Sequence, residues 1–129
     1  MEENKNIFNQ IRFFKDGIPE YRNYSIEQLE QLSTDNSSGY IKARCLVELA
    51  YRKKLDYLYN ELPKIENQKL NALFNLSVAQ IAALAILDSG SKQDIIKLKN
   101  SIKNWTVKYQ EEDFVDYLKR HNISLESVY

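Results

Sequence analysis

Apolar residues recur at three- and four-residue spacing along nearly the whole chain, the period of helices that each bury one face. Ile7, Phe8, Ile11 and Phe14 share the first such face. Gly17 and Pro19 stop that helix, because glycine accepts a left-handed cap and proline lacks the N–H that would continue the ladder. Ser25-Ile26-Glu27-Gln28 is a capping-box pattern, and Ile26, Leu29 and Leu32 give the helix behind it a stripe. The run from Ser33 to Gly39 is predicted to be a loop, since its side chains compete for backbone hydrogen bonds. A third helix over about 40–53 sets Ala43, Leu46, Val47 and Ala50 on one face and Arg44, Glu48 and Tyr51 on the other. Glu48 precedes Arg52 by four residues, the favoured order for a helix ion pair. A fourth helix, about 55–62, carries Leu55, Leu58 and Leu62 and ends at Pro63.

From Ile65 to Leu87 the phase of Leu70, Leu73, Phe74, Val78, Ile81, Leu84 and Leu87 predicts one long helix. Asn75 is a poor helix former, and Ser77-Val78-Ala79-Gln80 reads as a second capping box, so a kink is expected near Asn75. Ala79, Ala82, Ala83 and Ala85 make this helix apolar nearly all round, which places it at the centre. Asp88-Ser89-Gly90 ends it. Ser91 caps the next helix with Asp94 in its first turn, and Ile95, Leu98, Ile102 and Trp105 face the core. A last helix, about 111–121, buries Phe114, Val115, Tyr117 and Leu118; its acidic start and basic end suit the helix dipole. Residues 122–129 read as a loose tail. No run alternates as a strand. The expectation is a single all-α domain over residues 1–129, about six helices stacked as hairpins.

Composition agrees with a chain that buries a core of its own. It has 129 residues, 43% hydrophobic and 28% charged, with only three glycines and two prolines. Eighteen basic residues balance eighteen acidic ones, so no global positive field exists to hold nucleic acid. Locally the balance is uneven. Residues 1–36 carry seven acids against four bases, and residues 92–108 carry five lysines against Asp94 alone. Glu111, Glu112, Asp113 and Asp116 follow at once. The plain reading of Lys92, Lys97, Lys99, Lys103 and Lys108 is a solvated helix face beside an acidic neighbour. No apolar stretch follows the N-terminus and none is long enough to span a bilayer, so a cytoplasmic protein with no membrane contact is expected. The lone thiol of Cys45 fits that compartment.

Chemistry has little to stand on. One cysteine and one histidine leave no zinc motif, and no Glu-x-x-His pair offers a di-iron site. Gly17, Gly39 and Gly90 are isolated, each expected to end a helix, and form no phosphate loop. Cys45 reads as a small buried hydrophobe and His121 as a charge at a helix C-terminus. No catalytic residue, metal or cofactor is assigned, and no enzyme activity is expected.

Helix pairs do recur. Ile41, Cys45, Leu49 and Leu58 coincide with Val78, Ala82, Ile86 and Ile95 at a shift of 37 residues. The units Tyr40 to Leu62 and Leu76 to Ile102 thereby resemble HEAT-type repeats, two helices in about 40 residues, although the first-helix proline and the turn Asp/Arg pair are missing. The resemblance covers about half the chain, and an irregular helical bundle is the alternative. It implies an α-solenoid-like stack whose second helices, 55–62 and 92–104, line a binding surface. On that surface Tyr57 would point away from the core, Tyr59 would sit at its border, and Asp56, Glu61, Lys97 and Asn100 would join them.

Nine tyrosines stand out, a residue that is amphipathic and enriched at interface hot spots. Tyr51 and Tyr57 lie opposite leucine stripes and are the best candidates for exposed contacts. The functional expectation is a protein-binding module whose partner-binding residues are Tyr51, Asp56, Tyr57, Tyr59, Glu61, Lys97 and Asn100. Likeness to small HEAT-like immunity proteins implies the narrower role of neutralising a toxin, with Glu27, Glu30, Asp56 and Glu61 facing a basic partner. A nucleic-acid-associated regulator using the 92–108 lysines is the alternative, and a homo-oligomer burying its tyrosines is a third reading.

Overall fold

The computed structural model describes residues 18–35, 37–73 and 75–121; the first predicted helix and the 122–129 tail lie outside these. A short 3-10 turn, Pro19–Tyr21, leads into α1 (Ile26–Asp35), α2 (Gly39–Tyr51), α3 (Leu55–Glu61) and α4 (Ile65–Lys69). A two-strand hairpin follows, β1 (Asn71–Leu73) and β2 (Leu76–Ser77). Then come α5 (Val78–Ser89), α6 (Lys92–Ile102) and α7 (Gln110–Arg120). The chain is mostly all-α, as its periodicity requires, and the hairpin is a small exception.

Two helices form the axis of the core. Every residue from Lys42 to Ala50 in α2 is buried, and so is every residue from Val78 to Ile86 in α5. They pack along each other, with α1 on the far flank of α2 and α6 against α5. The predicted polar face of α2 is therefore covered and not solvated. Its charges are met one by one. Lys42 Nζ donates to the Ser33 carbonyl at 3.0 Å, and Glu48 accepts from the Ile18 N–H at 2.6 Å and from Arg52 Nε at 2.9 Å. Arg44 pairs with Glu20 and lies between the rings of Tyr21 and Tyr40, 5.4 and 5.1 Å from their centroids. Buried charges need such partners, because desolvation costs several kcal/mol per ion, roughly, if nothing replaces the water. Segment 18–24 supplies those of Arg44 and Glu48 in part, through Ile18, Glu20 and Tyr21, and Arg52 holds it down through the carbonyls of Tyr21 and Arg22 at 2.9 and 3.0 Å.

The predicted continuous helix over 65–87 is corrected. It breaks into α4, the hairpin and α5, because Leu70 turns extended and Asn75 takes the left-handed region at φ 64°. Asn71 pairs with Ser77 and Leu73 with Leu76 in antiparallel register. Ser77 then starts α5 with a full capping box, its hydroxyl accepting from Gln80 N–H and Gln80 Oε1 accepting from Ser77 N–H, both at 3.0 Å. The Ser25–Gln28 box forms as the sequence predicts, and Ser91 caps its helix as expected, with Asp94 completing a capping box. The predicted 33–39 loop is shorter than expected: α1 runs to Asp35 and Ser38 caps α2. Gly39 opens α2 instead of ending a helix, because the β1 backbone lies against it. A Cβ there would sit 2.1 Å from the Asn71 carbonyl oxygen.

Candidate protein interface

The expected binding residues divide into two sets. Tyr51, Tyr57 and Tyr59 are all half-buried and each fastens one helix to another. Tyr51, at the end of α2, donates to the Asp88 carboxylate in α5. Tyr57 donates to the Glu30 carbonyl at 3.3 Å and lies 3.1 Å from Thr34 Oγ1, tying α3 to α1. Tyr59 donates to the Asp94 carbonyl at 2.6 Å, tying α3 to α6. Burial, with the negative charges of Asp94 and Asp56 adding to it, pushes the Tyr59 phenol up to about 12. The expectation that Tyr51 and Tyr57 are exposed is thus corrected: both are half-buried, and both hydroxyls are used inside the fold.

Glu61 is also corrected. It is only 5% exposed, at the turn between α3 and α4. Asn67 Nδ2 donates to its Oε1 at 3.1 Å and Lys64 Nζ to its Oε2 at 2.6 Å. The position that places it outward on a helical wheel is covered by α4, which folds back under it.

Asp56, Lys97 and Asn100 do lie on the surface. Lys97 Nζ sits 4.4 Å from the Tyr59 ring centroid, a cation–π contact across the α3–α6 seam. Beside them the sequence reading missed Ile96, which is 47% exposed. Lys92, Asn100 and Lys103, all exposed, are four residues before it and four and seven after it, so they share its side of α6. The signal was present in the Ile95-Ile96 pair: Ile96 stands about 100° round the helix from Ile95, which packs inward, and it leads a row of polar residues four and seven positions on. Ile65 and Tyr109, each 55% exposed, are the other large apolar residues standing furthest into solvent among the described residues.

Elsewhere the surface offers little reactive chemistry. Cys45 is fully buried between α2 and its neighbours, and burial pushes its thiol up to about 11, so it stays protonated. The His121 ring lies 4.3 Å from that of Tyr117, tilted at 45° to it. Among the described residues no group of three or more His, Cys, Asp or Glu is placed to hold a metal ion. No helix among them is long and apolar enough to cross a membrane.

These features define the class: a small helical protein with two packed helical hairpins and a basic, isoleucine-centred stripe on one outer helix. No family model, no curated protein and no solved structure matches the chain.

Proposed function

We propose that the chain is a non-catalytic protein-binding module that engages its partner through the outer face of α6 and the adjoining edge of α3. The observation that carries this reading is Ile96, an exposed branched aliphatic side chain set among Lys92, Lys103 and Asn100 and next to Lys97, which lies against the Tyr59 ring. An apolar anchor within a charged rim is the layout of a protein interface, where the centre is desolvated and the rim sets orientation. Its complement is a protein surface with an apolar socket ringed by acids. A phosphate backbone has no use for Ile96, and the acidic first turn of α7 would repel it, so the nucleic-acid reading ranks second. Neutralising a toxin, the narrower role, draws on the HEAT-like resemblance and is a proposal within this one.

The test uses the full chain as bait in native cell extract. Ile96→Asp loses the bound protein, whereas Ile65→Asp, an equally drastic change on α4, retains it. Equal capture by both variants, or capture only of nucleic acid that added salt strips away, would overturn the reading.

A further inference from the structure

Tyr109 combines three features that the fold gains nothing from. It adopts the left-handed region at φ 69°, where a side chain with a Cβ is strained. It occupies the N-cap of α7, a place for Ser, Thr, Asp or Asn, and its side chain makes no capping hydrogen bond. Its ring is 55% exposed. Strain of this kind persists only where the surroundings over-determine the backbone, and here they do. The Trp105 indole N–H donates to the Leu62 carbonyl at 2.9 Å, and the Val107 N–H to Gln68 Oε1 at 3.0 Å. Ser77 Oγ donates to Gln110 Oε1 at 2.5 Å and Gln80 Nε2 to the Gln110 carbonyl at 3.1 Å. Three separate parts of the fold therefore clamp the loop between α6 and α7, and what they hold out is a tyrosine ring. A ring carried on backbone that is fixed in advance loses less freedom on binding than one on a mobile loop, which suits an interface anchor.

The charges on either side of the ring select the partner. The loop arrives from the basic end of α6, with Lys103 and Lys108 exposed and Lys108 Nζ 5.0 Å from the Tyr109 centroid. It departs into α7, where Glu112, Asp113 and Asp116 are exposed. A patch that is positive on one side of an aromatic ring and negative on the other is complementary to itself. Under a two-fold axis near the ring, each tyrosine meets its copy and each basic flank meets the other chain's acidic flank. We infer that Tyr109 and its two charged flanks form a docking surface for a second copy of this chain. The surface is distinct from the Ile96 stripe, and the two are separable by mutation.

Sedimentation of the full chain over a range of concentrations tests this. The parent moves from its 15.2 kDa monomer mass towards twice that value, and added salt shifts it back. Tyr109→Gly removes the ring and relieves the backbone, so it keeps or raises the melting temperature yet loses the dimer; Tyr109→Asn, which also tolerates this φ, behaves likewise. Lys108→Glu alone and Glu112→Lys alone are weakened, and mixing the two variants restores association through opposite flanks. Ile96→Asp still dimerises. A parent that stays monomeric throughout, or a Tyr109→Gly chain that dimerises as well as the parent, would overturn the inference.

Discussion

Tyr51 closes α2 by donating its hydroxyl to the carboxylate of Asp88, 37 residues further on and one residue from the end of α5. Two residues further on, past the end of α2, Lys53 Nζ reaches the Ser89 carbonyl. At the other end of the pair, Gly39 of α2 meets the hairpin that feeds α5. The two central helices therefore run side by side in the same direction, joined at both ends. Tyr51→Phe keeps the ring and removes only the hydrogen bond, leaving a half-buried carboxylate without it. The expected loss is about 1–2 kcal/mol in urea unfolding, the range for a bond to a charged group that keeps some access to water. A double-mutant cycle with Asp88→Asn shows coupling between the two positions. Independent effects would mean that the ends are held by packing alone.

Gly39→Ala sets two effects against each other. Alanine improves helix propensity by at most about 1 kcal/mol. Its Cβ would also meet a backbone carbonyl, that of Asn71, at 2.1 Å, and a backbone atom in a paired strand cannot swing aside. Forcing the hairpin off α2 costs about 1–3 kcal/mol, so the steric term wins and the variant is destabilised. Thermal unfolding decides the sign. A more stable Gly39→Ala chain would show that β1 is free to retreat.

Most of the helices were legible because their caps and stripes are local. Ser25, Ser77 and Ser91 each announce a helix start within four residues, and all three boxes form. The break over 65–77 was not legible from phase alone, since Leu70, Leu73 and Leu76 reach one core whether the backbone between them is helical or paired. What decides it is the packing of β1 on Gly39, more than thirty residues earlier. The internal hydrogen bonds of the tyrosines were hidden for the same reason. A helical wheel shows Tyr57 opposite the stripe of Leu55, Leu58 and Leu62, but not that α1 lies there with the Glu30 carbonyl to receive its hydroxyl. Glu61 pointed outward on α3 considered by itself and is covered only once α4 returns. Ile96 was legible and overlooked.

Alkaline pH should loosen the fold in a defined window. Burial raises Cys45 from 9.0 to about 11 and Tyr59 from 10.0 to about 12, and also raises Tyr117. Each group is neutral when protonated, and each folded value lies above its unfolded one. The stabilisation they supply is thus complete below about pH 9 and is lost as pH climbs through the folded values, because the unfolded chain gives up its protons first. Melting temperatures measured from pH 7 to pH 11 should stay level and then fall from about pH 9 upward. Cys45→Ala should delay the onset towards the tyrosine range, even though its lost volume lowers stability at every pH. An unchanged onset in that variant would assign the early loss to other groups.

Two serines with the same local role should differ in worth. Ser91 caps α6 at an exposed site, its hydroxyl accepting from the Asp94 N–H at 3.3 Å and donating to the water-accessible Asp94 carboxylate at 2.9 Å. Ser77 caps α5 from a buried one, and the same hydroxyl also donates to Gln110 Oε1 at 2.5 Å. Ser91→Ala removes one solvent-accessible cap, worth about 1 kcal/mol. Ser77→Ala removes a cap and leaves two buried groups, the Gln80 N–H and the Gln110 side-chain oxygen, without the partner each had; an unpaired buried polar atom costs about 1–3 kcal/mol. The Ser77 variant should therefore lose about twice as much, or more, in chemical unfolding. Its α7 should also open more readily, seen as faster hydrogen exchange over 110–120, because Gln110 is held by the Ser77 hydroxyl and by Gln80. Equal losses for the two variants, with α7 exchange unchanged, would mean that the Ser77–Gln110 bond does not join the hairpin to the last helix.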